Sequence, residues 1–308
     1  MLRVLFCLSL LITLLSVTGC NLRRSQSTSA SGSLQDARRG FTTSLIRNES
    51  AKEPLVTPPP SLFQVVNYQA PGGMYPAYLT TDPNDGKRHP AILWVTGGDC
   101  STIGDVWSPA PAEDDQTASA YRKAGIIMMF PSLRGGNMNP GFHESFLGEV
   151  DDVLAAADFL AAQPSVDPKR IYLGGHSTGG TLVLLTAECS NRFRDVFSFG
   201  PVDDPRGYGI TYITYNPGAE REVTLRSPGK WLHAIKSPVF IIEGEVDGNI
   251  DSLNSLKRKS TNSYVHFVPV KQKTHFSVLS VANDVIARKI IQDTAETTNI
   301  SLTGDEIR

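Results

Sequence analysis

The sequence predicts an α/β fold in which helices flank a mostly parallel central sheet. Short, continuous apolar runs of the kind that form buried strands recur along the chain from position 91 onwards. Segments with helical spacing of apolar residues, such as 149–162, lie between these runs. Strands that alternate with helices form βαβ units, and such units make neighbouring strands parallel.

The individual elements follow from local patterns. Two partly alternating runs, 63–69 and 74–80, flank Pro71-Gly72-Gly73 and predict a hairpin. The predicted core strands are 91–96, 125–130, 170–175, 195–200, 238–244 and 265–270. The predicted helices are 114–123, 149–162, 178–190, one segment between 244 and 265, and 277–295.

One segment, 202–233, breaks the alternation of strands and helices. It carries Tyr208, Tyr212, Tyr215 and Trp231 among glycines and prolines, between two predicted core strands. Insertions of this kind often cover an active site, so we expect a possible cap here. The alternative is a plain surface excursion.

The composition is that of an ordinary globular protein. The 308 residues are 40% hydrophobic and 19% charged, which suffices for one sizeable core. The formal net charge of -2 does not favour a nucleic-acid partner, because proteins that bind phosphate backbones are usually basic. No CxxC or Cys/His cluster is present, so we expect no zinc site. Cys100 and Cys189 are either two free thiols or a disulfide.

The N-terminus has the pattern of a targeting segment. An apolar run from Val4 to Val17 follows Arg3, which is typical of a secretory signal peptide. Its end, Val17-Thr18-Gly19-Cys20, resembles the lipobox of bacterial lipoproteins. That resemblance implies that residues 1–19 are removed, that Cys20 is acylated, and that the protein is held extracytoplasmically by a lipid anchor. Asn21 would place the anchor in the outer membrane of a Gram-negative cell; an ordinary cleaved signal or an uncleaved anchor is the alternative.

The remaining boundaries follow from composition. Residues 20–60 are rich in Ser, Thr, Arg and Pro and lack an apolar period, so we expect a disordered tether. A catalytic domain is expected over 61–296, followed by a C-terminal tail over 297–308.

The motif that indicates chemistry is Gly175-His176-Ser177-Thr178-Gly179, a G-x-S-x-G sequence. It follows the predicted strand 170–175 and opens an apolar helix, which is the strand–turn–helix context of a nucleophile elbow. The tight turn requires positions without bulk on both sides of the serine. We therefore predict Ser177 as a catalytic nucleophile.

A serine hydroxyl needs a base that is itself oriented by an acid. In this type of site the partners follow the serine in the order acid, then histidine. Asp247 lies just beyond the strand 238–244, and His275 lies just beyond the strand 265–270. We predict Asp247 as the acid, with Asp251 as the alternative, and His275 as the general base.

Other groups are expected around the serine. The backbone N–H of Thr178 and that of Gly97 or Gly98 are the predicted donors to an oxyanion. His176 is interpreted as a packing or positioning residue, and a loop with His143 and Glu144 could face the site.

The chain resembles the catalytic domain of the prolyl oligopeptidase family of the α/β-hydrolase superfamily, with dienelactone-hydrolase-like enzymes second. The resemblance runs from about Arg88 to Ile290 and is most specific in the block from Asp151 to Gly180. It implies hydrolysis of a peptide or small-molecule ester through an acyl-enzyme, without metal or cofactor. A carboxylesterase or deacetylase of the same fold, or a non-catalytic binding protein on that fold, are the alternatives.

Two departures limit what the resemblance implies. Family peptidases often have Tyr or His where Thr96 stands, and the Tyr hydroxyl can help to bind the oxyanion. We also expect no β-propeller among the roughly sixty residues before the hydrolase body, since signal and tether occupy much of that stretch. Peptidase specificity is therefore not implied by the resemblance alone.

Overall fold

The computed structural model describes residues 32–307, and the predicted signal peptide and Cys20 lie outside the described residues. One eight-stranded sheet forms the centre of this part of the chain. Its strands are β1 (Phe63–Ala70), β2 (Gly73–Thr80), β3 (His89–Val95), β4 (Ile127–Pro131), β5 (Val166–His176), β6 (Val196–Phe199), β7 (Val239–Gly244) and β8 (Val265–Val270).

The sheet is mostly parallel, as predicted. The spatial order is β1-β2-β4-β3-β5-β6-β7-β8. The hairpin of β1 and β2 is antiparallel and meets β4 in antiparallel pairing, while all pairs from β4 to β8 are parallel. Parallel strands end at the same edge of a sheet, so the loops after β3, β5, β7 and β8 lie together there.

Helices cover both faces of the sheet. They are α1 (Leu34–Arg38), α2 (Ser119–Lys123), α3 (Glu149–Ala161), α4 (Thr178–Cys189), α5 (Glu220–Thr224), α6 (Ile250–Lys259) and α7 (Ser277–Gln292). Alternate residues of β3 belong to two separate apolar clusters. Leu93 lies in the cluster with α3, α4 and α6, and Trp94 lies in the cluster with α2 and α7. Burial on both faces explains why the core strands are continuously apolar in sequence.

The expectation of a disordered tether over 20–60 is wrong for residues 32–60, which pack on the domain. Leu34 is fully buried, and Arg38 bonds both Asp151 and the carbonyl of Leu147. Further along, Ile46 N–H donates to the carbonyl of Thr214 at 2.7 Å. A polar segment has little apolar surface to bury and so gains little stability from burial. It is ordered here because specific hydrogen bonds to the domain supply stability instead.

A buried arginine joins this segment, the insertion 202–233 and the loop before α3. Arg226 has no exposed side-chain surface and forms an ion pair with Glu222 at 2.5 Å. Its guanidinium also donates to Thr43 Oγ1 at 2.8 Å and to the carbonyl of Glu144 at 2.9 Å. The ring of Tyr215 lies 4.1 Å from the guanidinium carbon. The Arg226 guanidinium thus holds the insertion to its neighbours through an ion pair and hydrogen bonds. A buried charge is tolerated when it has such partners.

The predicted C-terminal tail also belongs to the domain. Leu302 and Ile307 lie in the cluster that contains α7, and Lys289 forms an ion pair with Glu306 at 2.9 Å. Thr298 donates to the buried Asp195 at 2.7 Å. The compact unit therefore extends beyond the predicted bounds 61–296 at both ends.

Cys100 and Cys189 are free thiols, so the free-thiol alternative applies to them. Cys100 is buried beside the hydroxyl of Tyr212, and Cys189 lies 3.7 Å from Arg38 Nη1. Within residues 32–307, none of the helices has the length and hydropathy needed to cross a membrane.

Candidate active site

Ser177 occupies the turn between β5 and α4, at the edge where the parallel strands end. Its backbone has φ +56° and ψ -116°, a conformation that costs energy for any residue with a side chain. A Cβ on Gly175 would lie 2.6 Å from the carbonyl oxygen of Gly179, and one on Gly179 would collide with the carbonyls of Val95 and Thr96. The flanking glycines are therefore required by the close approach of backbone to backbone.

The loop after β3 lies against this turn. A Cβ on Gly97 would be 3.5 Å from the Ser177 Cβ, so the loop passes directly beside the nucleophile position. Gly98 has φ +78°, and its carbonyl accepts a hydrogen bond from Thr178 Oγ1 at 2.9 Å. The three residues predicted to supply oxyanion donors thus lie in two segments that contact each other.

His275 lies between β8 and α7 and is oriented by a buried carboxylate. Its Nδ1 is 2.8 Å from Oε2 of Glu243, the penultimate residue of β7. Glu243 is fully buried and also accepts from the backbone N–H groups of Gly244 and Asn249. A Cβ on Gly200 would lie 2.6 Å from that Oε2, so glycine at this position leaves room for the pair.

The prediction that Asp247 orients the imidazole is therefore corrected. Asp247 Oδ1 accepts the backbone N–H of His275 at 2.9 Å and holds the loop rather than the ring. The reason is position along the chain. Glu243 is still in the strand and its carboxylate reaches His275 Nδ1, whereas Asp247 lies in the bend after the strand and is exposed. The alternative acid, Asp251, is exposed in the first turn of α6.

His176 links the serine turn to the histidine loop. Its Nε2 lies 3.2 Å from the carbonyl oxygen of His275, and the two ring centroids are 4.5 Å apart. Burial, together with the charge of His275, lowers the pKa of His176 to about 3, so the ring is neutral at ordinary pH. A neutral, buried ring is suited to positioning His275 and not to accepting a proton, in agreement with the interpretation from sequence.

The insertion 202–233 brings aromatic rings to the serine. Tyr208 OH lies 2.8 Å from Thr181 Oγ1 in the first turn of α4. Burial raises the pKa of Tyr208, and hydrogen bonds with Thr181 and Ser177 offset part of this rise. Phe146 stacks on Tyr212 with 5.3 Å between ring centroids, and Tyr212 lies at the same distance from Tyr208. The insertion therefore covers the α4 side of the serine turn.

The loop with His143 and Glu144 has a structural arrangement of its own. His143 is buried against Tyr212 and lies 3.1 Å from Glu149. Burial acts to lower the pKa of His143, but the bond and charge of Glu149 outweigh it and the pKa is raised. Glu144 pairs with Arg134 at 2.7 Å. Both side chains thus support the loop beside the site, and the described contacts do not join them to Ser177.

Glu243 and Tyr208 were missed by sequence reasoning. The signal for Glu243 was present, since it is the one charged residue in the apolar strand 238–244, and a buried carboxylate requires a partner. Tyr208 stood in the segment interpreted as a possible cap, but sequence does not reveal which of its tyrosines meets the serine.

The active site of an α/β-hydrolase combines a strained serine turn, an oriented histidine and an oxyanion-binding loop at the carboxyl edge of the sheet. This chain has all three at the carboxyl edge of the sheet, and the sheet has the strand order given above. The chain is a hydrolase of the α/β-hydrolase fold.

Comparison with known proteins gives the family. The family model described as the prolyl oligopeptidase family (Peptidase_S9) matches residues 113–277, which is more than half of the chain. The chain belongs to this family of serine peptidases.

Curated relatives share part of this chain. A Bacillus subtilis protein described as an uncharacterized peptidase, YtmA, is 27% identical over 196 residues, which are 58% of this chain and 70% of that protein. Dipeptidyl-peptidase 5 of Porphyromonas gingivalis is 26% identical over 196 residues, 56% of this chain and 28% of the relative.

Solved structures agree in fold. An acylaminoacyl peptidase of Pyrococcus horikoshii has a TM-score of 0.61 at 15% identity, over 80% of this chain and 44% of that one. A puromycin-hydrolyzing peptidase of Mycobacterium tuberculosis has a TM-score of 0.62 at 19% identity, over 79% and 42%. The chain thus spans less than half of these two structures.

Proposed function

We propose that this protein is a serine peptidase whose catalytic triad is Ser177, His275 and Glu243. The observation that carries the proposal is the 2.8 Å contact between His275 Nδ1 and the buried carboxylate of Glu243, beside a serine in a strained turn. Family membership and the peptidase descriptions of the relatives support a peptide substrate.

In the proposed mechanism, Ser177 Oγ attacks the substrate carbonyl and His275 Nε2 takes the hydroxyl proton. Glu243 holds the Nδ1–H and stabilises the imidazolium that forms. The same Nε2–H then protonates the leaving amine, which departs and leaves an acyl-enzyme on Ser177. Water repeats the sequence in the deacylation half and restores the serine.

Backbone N–H groups are proposed to stabilise the oxyanion. The candidates remain Thr178 and one of Gly97 and Gly98, because both segments border Ser177. A donor of this kind is worth about 3–4 kcal/mol in a comparable site. Thr96 Oγ1 lies 3.4 Å from the carbonyl of Thr102, so its side chain is engaged with its own loop.

The acyl side of the substrate is proposed to contact the insertion 202–233. Tyr208 and Tyr212 present aromatic surface on the α4 side of Ser177, with their hydroxyls engaged by Thr181 and Cys100. Aromatic rings bind flat or apolar groups well, while a few polar groups in a binding site fix the orientation of the ligand. These rings favour an acyl residue with an apolar side chain.

A substrate panel tests peptidase against esterase activity. We expect aminoacyl-p-nitroanilides with apolar residues at the acyl position to be hydrolysed, with the rate lost in Ser177→Ala. Initial rates by absorbance, beside p-nitrophenyl acetate and butyrate, provide the comparison. Turnover confined to the short acyl esters would replace the peptidase proposal by the carboxylesterase or deacetylase alternative.

We further propose that the protein is extracytoplasmic and lipid-anchored through Cys20. The support is the sequence alone, an apolar run that ends in Val17-Thr18-Gly19-Cys20. Cys20→Ser is expected to move the protein from the membrane fraction to the soluble fraction of a bacterial host, because the acyl chains provide the membrane affinity. Quantitative blots of both fractions measure this, and an unchanged membrane share for Cys20→Ser would contradict lipidation.

A further inference from the structure

An aromatic side chain stands exposed beside the general base. Phe276 directly follows His275, and 42% of its surface is exposed. Its ring centroid lies 5.1 Å from that of His275 and 5.3 Å from that of His176, at steep interplanar angles. Phe276 therefore contacts the two histidines with part of its ring and presents the rest to solvent.

The orientation of His275 determines which part of a substrate meets this ring. Glu243 binds Nδ1, so the opposite nitrogen, Nε2, is the atom that takes part in proton transfer. A general acid must lie within hydrogen-bond reach of the atom it protonates, which is the nitrogen or oxygen of the leaving group. The leaving group therefore lies against the imidazole that Phe276 flanks.

The loop after β7, which is bonded to the loop of His275, carries another exposed apolar residue. Val246 is 60% exposed, and its N–H donates to the carbonyl of Lys273 at 3.0 Å. That bond, and the bond from His275 N–H to Asp247, fix the two loops to each other.

We propose that Phe276 determines leaving-group specificity, and that it favours substrates with an aromatic or large apolar group immediately after the scissile bond. This inference rests on the proposed serine mechanism. It concerns acylation only, because the leaving group has departed before water attacks the acyl-enzyme.

Two esters with a common acyl group isolate the effect. Serine peptidases hydrolyse esters through the same acyl-enzyme, so benzyl and methyl esters of one N-acetyl amino acid differ only in the leaving group. We expect Phe276→Ala to lower kcat/KM for the benzyl ester about tenfold, a typical loss for one apolar contact in a pocket. The kcat/KM for the methyl ester should change less than twofold. For the benzyl ester, the kcat/KM of Phe276→Leu should lie between that of the wild type and that of Phe276→Ala.

A matched control separates specificity from stability. Ile291 is 41% exposed at the far end of α7, so Ile291→Ala removes a comparable apolar group away from the site. Its kcat/KM is expected to equal that of the wild type for both esters. An equal fall for both esters in Phe276→Ala would overturn the proposal, because it would indicate a role in holding His275. Unchanged values for both esters would overturn it as well.

Failure of the underlying mechanism has a different signature. A fluorescent fluorophosphonate reacts with an activated serine regardless of leaving-group preference. Suppose that the wild type and Phe276→Ala are labelled at similar rates and that the substitution affects the benzyl and methyl esters equally. That result would overturn only the role of Phe276. Absence of labelling in the folded wild type would overturn the serine mechanism and this inference with it.

Discussion

Glu243→Gln is expected to lower kcat by about 10⁴-fold with little change in fold. The buried carboxylate accepts the Nδ1–H of His275 at 2.8 Å and stabilises the positive charge that the ring acquires in the transition state. An amide keeps the shape but supplies no charge, and it can donate to Nδ1 and so favour the wrong tautomer. The loss from the equivalent change in a serine protease triad is of this order. Steady-state kinetics on the most active p-nitroanilide measures it.

Asp247→Asn is the matched comparison, four residues along the chain. Within residues 32–307, the hydrogen bond of its carboxylate is to the backbone N–H of His275, and an amide oxygen still accepts that bond. We expect kcat to fall by no more than about tenfold, in line with the modest net value of one exposed hydrogen bond. The reverse pattern, a large loss in Asp247→Asn with Glu243→Gln near wild type, would show that Asp247 is the acid.

Ser177→Ala is expected to produce the largest loss, about 10⁶-fold in kcat. The residues of a triad act as one unit, so their effects do not add. The double variant Ser177→Ala/Glu243→Gln should therefore be no slower than Ser177→Ala alone. Residual hydrolysis above the uncatalysed rate is expected from the backbone donors. Rates at high enzyme concentration with an extended time course measure these values.

Ser190→Ala provides the control for the serine substitution. Ser190 is the C-cap residue of the same helix, α4, at the end opposite Ser177. Its kcat is expected to match the wild type. A Ser177→Ala enzyme that kept more than about one hundredth of the wild-type kcat would exclude a covalent role for this serine.

The sheet and the serine turn could be predicted from sequence because both depend on local patterns. Strands buried on two faces must be apolar throughout, as in β3 and β7, and this makes them visible as short continuous runs. The elbow is visible because close backbone approach admits only glycine at 175 and 179. Each signal lies within a few residues of the element that it specifies.

The carboxylate that contacts the His275 ring could not be predicted in the same way. Glu243 and Asp247 are both acidic residues near the end of β7. Only the path of the folded chain decides which of the two carboxylates reaches the imidazole. Here the carboxylate within the strand occupies the position beneath the ring, and the loop carboxylate binds the backbone.

The ordered N-terminal segment was missed for a related reason. Its composition predicts disorder, yet it is held by contacts with residues distant in sequence, such as Arg38 with Asp151 and Ile46 with Thr214. Composition measures how much apolar surface a segment can bury, and it does not measure hydrogen bonds to partners more than one hundred residues away. The same holds for Leu302 and Ile307, two apolar residues in a polar tail.

Reaction of the wild-type protein with a fluorescent fluorophosphonate, with Ser177→Ala beside it, tests the central claim most directly. The phosphonate forms a covalent bond only with an activated serine, and gel fluorescence followed by peptide mass spectrometry locates the adduct. We predict rapid labelling of the wild type on the peptide that contains Ser177, much slower labelling of Glu243→Gln, and none of Ser177→Ala. Equal labelling of Ser177→Ala, or no labelling of a folded wild type, would contradict the account.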